Sequence, residues 1–132
     1  MKRSGIINRK IARIIAEMGH TDRITICDCG FPIPDGAEVV DLSITKGFPR
    51  LIDVLRALRE ELIIEKIILA KEIVDKNPEM HNLVLELFSN TAVEYVEHSE
   101  FKKIAAADSK AFIRTGEATP YSNVILSSGV DF

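Results

Sequence analysis

The sequence has no tryptophan, only two cysteines in 132 residues, and no long apolar run. Cys27 and Cys29 are too close in the chain to cross-link separate parts of a fold, so nothing in the sequence requires an oxidising compartment. A membrane-spanning helix needs ~20 consecutive apolar residues, and no stretch approaches that length. The basic start, MKRSGIINRK, lacks the apolar core of a signal peptide. We therefore expect a cytoplasmic protein with no membrane contact.

The motifs of the common cofactor sites are also missing. The sequence contains no G-x-G-x-x-G or Walker-type glycine loop for nucleotides, no His/Cys spacing typical of zinc sites and no G-x-S-x-G nucleophile motif. The net charge of −3, without a basic cluster, argues against nucleic acid as the main partner. An enzyme of this sequence is therefore expected to use acid–base chemistry with no metal and no cofactor.

The pattern of apolar residues alternates between helical and strand-like spacing along the whole chain. It predicts helices at 8–18, 50–62, 77–88 and 99–107, and strands at 23–28, 37–42, 66–71, 93–98, 111–116 and 123–127. Asn8 is a good N-cap, Gly19 can supply a left-handed end to the first helix, and Asn77-Pro78 is a typical helix start. The pattern indicates an α/β fold, one domain over residues 1–132, with a largely parallel sheet flanked by helices.

Two ionisable residues flank the first predicted strand. His20 follows the first helix, whose dipole favours a protonated imidazole there, and Asp28 ends an apolar strand. Either has an ordinary structural alternative: His20 can cap the helix, and Asp28 can form a turn with the following loop. A strand of this length spans ~17–20 Å. The two side chains therefore meet one small ligand only if the chain folds back or a second subunit contributes.

Further candidates lie later in the chain. His98 is predicted to end a strand, as Asp28 does, although a surface histidine in a loop has the same pattern. Strand alternation turns Cys27 and Cys29 away from Asp28, as small core residues. The segment 114–123 is rich in hydroxyl, amide and charged side chains around Tyr121, which suits a polyhydroxylated ligand but is also found in solvated loops.

Several ordered motifs resemble those of the D-ribose pyranase family, which is related to the L-fucose mutarotases. The resemblance extends from Gly5 to the C-terminus. It rests on Gly5-Ile-Ile-Asn8, Gly19-His-Thr-Asp22, Asp28-Cys-Gly-Phe-Pro-Ile-Pro34, Arg114-Thr-Gly-Glu117 and Thr119-Pro-Tyr-Ser-Asn123.

The resemblance implies an enzyme that interconverts β-D-ribopyranose and β-D-ribofuranose, the form passed to ribokinase. It implies that His20 is the proton donor and that the sugar is bound by Asp28, His98, Tyr121, Ser122 and Asn123. It also implies D-ribose as the ligand and self-association into a ring-based homo-oligomer, a decamer, with sites at subunit boundaries.

The sequence departs from the family pattern at two points. Cys27 and Cys29 flank the aspartate where small residues are usual, and Ser122 stands where a small residue is usual, so we expect Ser122 to act through its main chain. Two other functions stay open: a mutarotase for L-fucose or another monosaccharide, and a non-catalytic sugar-binding or regulatory protein. A metal-dependent sugar isomerase is disfavoured by the shortage of metal ligands.

Overall fold

Six strands form one sheet at the centre of the molecule, and the computed structural model describes all residues from Met1 to Phe132. The strand order is β2-β5-β1-β6-β3-β4. Along the chain, the elements are α1 (Arg9–Glu17), β1 (Arg23–Cys27), β2 (Val39–Asp41), α2 (Leu51–Arg59), β3 (Ile64–Ala70), α3 (Ile73–Lys76), α4 (Pro78–Leu87), β4 (Ala92–Val96), α5 (His98–Asp108), β5 (Ser109–Arg114) and β6 (Val124–Ser128).

The sheet is mixed, with most strands parallel and one central strand reversed. β1 pairs in parallel with β5, β5 with β2, and β3 with β4, whereas β6 runs antiparallel to both β1 and β3. The connection from β5 to β6 contains no helix, so the chain crosses the end of β1 and returns in the opposite direction; a parallel return would need a longer crossover. The predicted α/β fold with a largely parallel sheet flanked by helices is confirmed.

Apolar side chains cover both faces of the sheet. The larger cluster packs α1, α2 and α4 against one face and contains Ile24 and Ile26 of β1. The smaller cluster packs α5 against the other face and contains Cys27 and Phe112. Alternating residues of β1 therefore enter different clusters, as the period-two pattern predicted.

The helix ends agree with the sequence where a side chain forms the cap. Asn8 accepts hydrogen bonds from two backbone N–H groups of α1, and Asn77 accepts one from Met80 at the start of α4. The prediction for Gly19 is wrong: α1 ends at Glu17 and Met18 is extended, while the left-handed residue is Thr21, with φ of 69°. None of these helices has the length and apolar character needed to cross a membrane.

Candidate active site

Asp28 and Asn123 bond to each other at the ends of two central strands, β1 and β6. Asp28 directly follows β1 and Asn123 directly precedes β6; since these strands are antiparallel neighbours, the two residues meet. The Asp28 N–H donates to Asn123 Oδ1, and Asn123 Nδ2 donates to Asp28 Oδ2, both at 2.9 Å. The other carboxylate oxygen accepts the Gly30 N–H at 2.9 Å. The predicted turn therefore exists, but it uses only part of the carboxylate, which has about four acceptor positions.

Tyr121 and His98 lie against each other beside this pair. Their ring centroids are 5.1 Å apart with the planes nearly perpendicular. Tyr121 has a left-handed backbone, with φ of 56°. Such strain in a non-glycine residue costs ~1–2 kcal/mol and is typical of segments that the surrounding structure holds for function.

The predicted position of His98 at the end of a strand is wrong. β4 ends at Val96, and His98 rather than Ser99 is the first residue of α5, with Glu97 at the N-cap position. The strand stops where its partner β3 stops: the last pair is Ala70 with Val96, and the Val96 carbonyl accepts the N–H of Lys71. Both carboxylate oxygens of Glu72 accept the His98 N–H at 3.0 Å, which fixes the start of the helix.

The environment of His98 favours a neutral imidazole. Burial lowers the pKa of His98 below its ordinary value of 6.5, and Lys102 lowers it further, while Glu72 and Asp28 oppose the shift only in part. The ring packs near Phe31 and Phe101, with centroid distances of 6.4 and 6.2 Å. Its Nδ1 atom is buried without a hydrogen-bond partner, which is uncommon for a polar atom inside a protein.

A polar cleft of about 330 Å³ opens beside Asp28. Its lining includes Cys29, Gly30 and Lys46, followed by residues 117–120. The prediction that Cys29 is a core residue is wrong, because the chain leaves the strand at Cys27 and alternation no longer determines where the Cys29 side chain lies. Cys27 is buried as predicted, and burial, with a contribution from the charge of Asp28, raises the pKa of its thiol to about 12.

The Ser122 side chain is used within the fold. Ser122 is fully buried, and its hydroxyl lies 2.7 Å from the Thr119 hydroxyl and 3.0 Å from Asn77 Nδ2. These contacts fit the expectation that Ser122 meets a ligand through its main chain, and that role stays a prediction.

Glu117 is an important residue of this region that sequence reasoning missed. Its side chain is only 2% exposed and accepts hydrogen bonds from Arg50 Nε, the Leu51 N–H and the Thr119 hydroxyl. Burial raises the pKa of Glu117, but the bonds from Thr119, Leu51 and Arg50 outweigh it and hold the pKa below 4.5. No local pattern identifies it, since Arg50 and Leu51 lie more than 60 residues away in the chain.

His20 lies at the opposite edge of the sheet from Asp28. It precedes β1, whereas Asp28 follows that strand, and five residues of extended chain from 23 to 28 span ~16 Å. His20 Nε2 lies 2.9 Å from the carboxylate of Glu65, near the start of β3, so the imidazole does not cap α1. The structure thus brings Asp28, His98, Tyr121 and Asn123 together and leaves His20 apart from them within one chain.

The clustered groups suit a sugar. A carboxylate, a neutral imidazole and a primary amide offer directional bonds to hydroxyl groups, and the Tyr121 ring offers an apolar face. No group of three or more His, Cys, Asp or Glu side chains is arranged to hold a metal ion. The arrangement can therefore bind a polyol and exchange protons with it.

Comparisons with known proteins show similarity over nearly the whole chain. The family model described as RbsD / FucU transport protein family matches residues 1–131. The D-ribose pyranase of Kosmotoga olearia is 88% identical over 132 residues, covering 100% of both chains. The structure of Bacillus subtilis RbsD complexed with D-ribose gives a TM-score of 0.96 at 48% identity, covering 100% of both chains. The fucose mutarotase of Streptococcus pneumoniae, solved with L-fucose, gives a TM-score of 0.81 at 20% identity, covering 96% of this chain and 95% of its own, and shares the fold.

Proposed function

The chain belongs to the RbsD / FucU transport protein family, and we propose that it is an isomerase that interconverts β-D-ribopyranose and β-D-ribofuranose. The observation that carries the proposal is the meeting of Asp28, His98, Tyr121 and Asn123 at one edge of the sheet. A close relative named D-ribose pyranase and a close structural neighbour with bound D-ribose support the choice of sugar. The protein acts in the cytoplasm, ahead of ribokinase.

The reaction needs only proton transfers. Opening the pyranose breaks the bond between the anomeric carbon and the ring oxygen; the ring oxygen gains a proton and the anomeric hydroxyl loses one. The resulting aldehyde is then attacked by the hydroxyl on the fourth carbon, which loses its proton while the carbonyl oxygen gains one. A positioned acid and base accelerate both steps, typically by ~10²–10⁴-fold each.

Each candidate residue has a part in this scheme. His20 donates the proton to the ring oxygen, and Asp28 or a bound water accepts the proton of the anomeric hydroxyl. Asn123 holds the Asp28 carboxylate by its amide, and His98 and Tyr121 contact the sugar. Ser122 contributes through its main chain.

His20 reaches the sugar from a second copy of the chain. Within one chain it lies at the far edge of the sheet, bonded to Glu65, while the sugar-binding residues lie beyond the other end of β1. A site completed by a neighbour is possible in a two-fold dimer, where each subunit completes the other, or in a ring with a head-to-tail contact. The family resemblance favours the ring. The proposed assembly is a ring-based homo-oligomer, a decamer, with sites at the subunit boundaries.

The test is an NMR exchange measurement on D-ribose and L-fucose at equilibrium. The wild-type protein should accelerate exchange between the pyranose and furanose signals of ribose, and His20→Ala should abolish most of that acceleration. A His20→Ala protein that exchanges ribose ring forms at the wild-type rate would remove His20 as the acid. Acceleration with fucose alone would instead favour a fucose mutarotase, and binding without acceleration would favour a non-catalytic sugar-binding protein.

A further inference from the structure

Asn77 joins the start of α4 to the segment that carries Tyr121 and Asn123. Its side chain is 8% exposed and lies at the N-cap of α4, where Oδ1 accepts the Met80 N–H at 3.3 Å. On the other side, Nδ2 lies within 3.0 Å of three oxygens: the Thr119 hydroxyl, the Pro120 carbonyl and the Ser122 hydroxyl. One amide therefore bonds to a helix end with its oxygen and to a loop with its nitrogen.

The donors and acceptors of this network can all be matched. The Thr119 hydroxyl donates to Glu117 Oε1, and the Ser122 hydroxyl donates to Thr119 Oγ1. The two N–H groups of Asn77 then point to the Pro120 carbonyl and the Ser122 oxygen. Only a primary amide supplies two donors to the loop and one acceptor to the helix from a single side chain of this length.

The same loop segment needs external support at this point. Tyr121, directly after Pro120, has a left-handed backbone, and the bonds from Asn77 fall on the residues before and after it. Asn123, which follows Ser122, is the hydrogen-bond partner of Asp28. A shift of the segment therefore moves both the Tyr121 ring and the amide that holds the carboxylate.

We propose that Asn77 is a positioning residue for the ribose site, acting through Pro120 and Ser122 on Tyr121 and Asn123. The expected effect on the kinetics of ribose exchange rests on the proposed function. The expected effect on the loop that carries Tyr121 rests only on the contacts of Asn77. Asn77 is absent from the lining of the cleft beside Asp28, and both polar atoms of its side chain are bonded within the fold. Its effect is to keep the sugar-binding segment in the left-handed conformation.

Three substitutions separate capping from positioning. Asn77→Asp keeps an oxygen that caps α4 and removes both donors to the loop; Asn77→Ser is a neutral cap whose short side chain also cannot donate across to Pro120; Asn77→Ala removes the cap as well. Asn77→Asp and Asn77→Ser should both lower kcat/KM for ribose by about tenfold or more, because small displacements of binding groups have effects of that size. Both should do so mainly through an increased KM.

The two tyrosines of the chain give a readout that does not depend on activity. In protein labelled with 3-fluorotyrosine, the fluorine signal of Tyr121 reports the loop. The signal of Tyr95 reports the start of α4, because its hydroxyl lies 2.7 Å from His81 Nε2 on that helix. Asn77→Asp and Asn77→Ser should shift or broaden the Tyr121 signal and leave the Tyr95 signal in place, whereas Asn77→Ala should change both.

The outcomes distinguish this proposal from the proposed function. An unchanged Tyr121 signal in Asn77→Asp and Asn77→Ser would overturn the positioning role, and so would equal changes of both tyrosine signals in those variants. If the wild-type protein fails to accelerate ribose exchange, the proposed function fails, while the fluorine spectra still decide what Asn77 does to the loop.

Discussion

At the scale of single residues, His98 is expected to make ribose binding depend on pH through its protonation state. Its pKa lies below 6.5 because the ring is partly buried, so at neutral pH the imidazole is uncharged and its two nitrogens comprise one donor and one acceptor. Protonation would place a charge beside Phe31 and Phe101 and would remove the acceptor. The neutral form is therefore the one expected to bind ribose.

We predict that kcat/KM for ribose is lost on the acid side as the pH falls through this lowered pKa. Above pH 6.5 the neutral form predominates and His98 contributes no slope; well below its pKa the value should fall about tenfold per pH unit. The measurement is a pH profile of ribose exchange for the wild type and His98→Asn. The variant should be slower but should lack this acid limb; an identical limb in both proteins would assign it to another group.

The two cysteines should react very differently although one residue separates them. Cys27 is buried with a thiol pKa of about 12, and Cys29 is partly exposed on the cleft beside Asp28. Iodoacetamide at pH 8 should modify only Cys29 in the folded protein, and ribose at ten times its Kd should slow that reaction about tenfold. Peptide mass spectrometry gives both rates. Full reactivity of Cys29 with ribose bound would place the sugar outside this part of the cleft.

At the scale of elements, the connection between β5 and β6 is the structure on which the site depends. Thr115 donates to the Cys27 carbonyl with both its N–H and its hydroxyl, and the Cys29 N–H donates to the Glu117 carbonyl. The loop is thus fixed to the end of β1 before it reaches Tyr121. Glu117 adds the anchor to α2, because its buried carboxylate accepts the Leu51 N–H at the start of that helix.

Replacing Glu117 by glutamine should destabilise the protein by about 2 kcal/mol at pH 7, because the charge-assisted bonds are lost and one buried donor is left unpaired. The folded-state pKa of Glu117 is below 4.5, so its contribution is fully present above pH 4.5 and disappears as the pH falls through the folded value. The difference in unfolding free energy between wild type and Glu117→Gln, measured with urea, should therefore shrink in acid.

Glu60→Gln is a matched control, since Glu60 is exposed and follows α2 directly. It should change the unfolding free energy by less than about 0.5 kcal/mol at either pH. If the loss of unfolding free energy in Glu117→Gln did not change with pH, the assigned ionisation would be wrong. If Glu117→Gln had the same unfolding free energy as the wild type at pH 7, the contact between Glu117 and α2 would be dispensable.

Local sequence signals predicted the elements better than they predicted the site. Asn8 and Asn77-Pro78 identified helix starts because a cap acts within three residues, and alternation placed Ile24 and Cys27 on opposite faces of the sheet. The Asp28–Asn123 pair lies 95 positions apart and exists only because β6 is inserted antiparallel beside β1. No period in the sequence encodes that pairing. Asp28 is a candidate by its place at a strand end, whereas the part of Asn123 came from the family resemblance.

The errors have local physical causes. Alternation predicts Cys29 in the core only if β1 continues two residues past Cys27, where it ends. The prediction of His98 at a strand end extends β4 past Val96, where both the apolar residues and the pairing with β3 stop. Glu117 and the loop contacts of Asn77 depend on long-range hydrogen bonds, which composition and spacing do not reveal.

At the scale of the whole molecule, one chain contains every part of the proposed site but not in one place. Asp28 lies beyond the carboxyl end of β1, and His20 precedes its amino end, where Glu65 holds the imidazole. If sites form between copies, each one takes His20 from one subunit and Asp28 from its neighbour. A chain with a substitution at one of these two residues still contains the other residue intact.

Subunits with complementary defects should therefore restore each other. His20→Ala and Asp28→Asn should each be nearly inactive alone, but co-expressed chains that assemble at random should regain about a quarter of wild-type ribose exchange, because about one site in four then receives both intact residues. Co-expression of His20→Ala with the double variant His20→Ala/Asp28→Asn is the control and should regain nothing. Mixed assemblies verified by native mass spectrometry that remain inactive would place both residues in one subunit's site and remove the shared-site proposal.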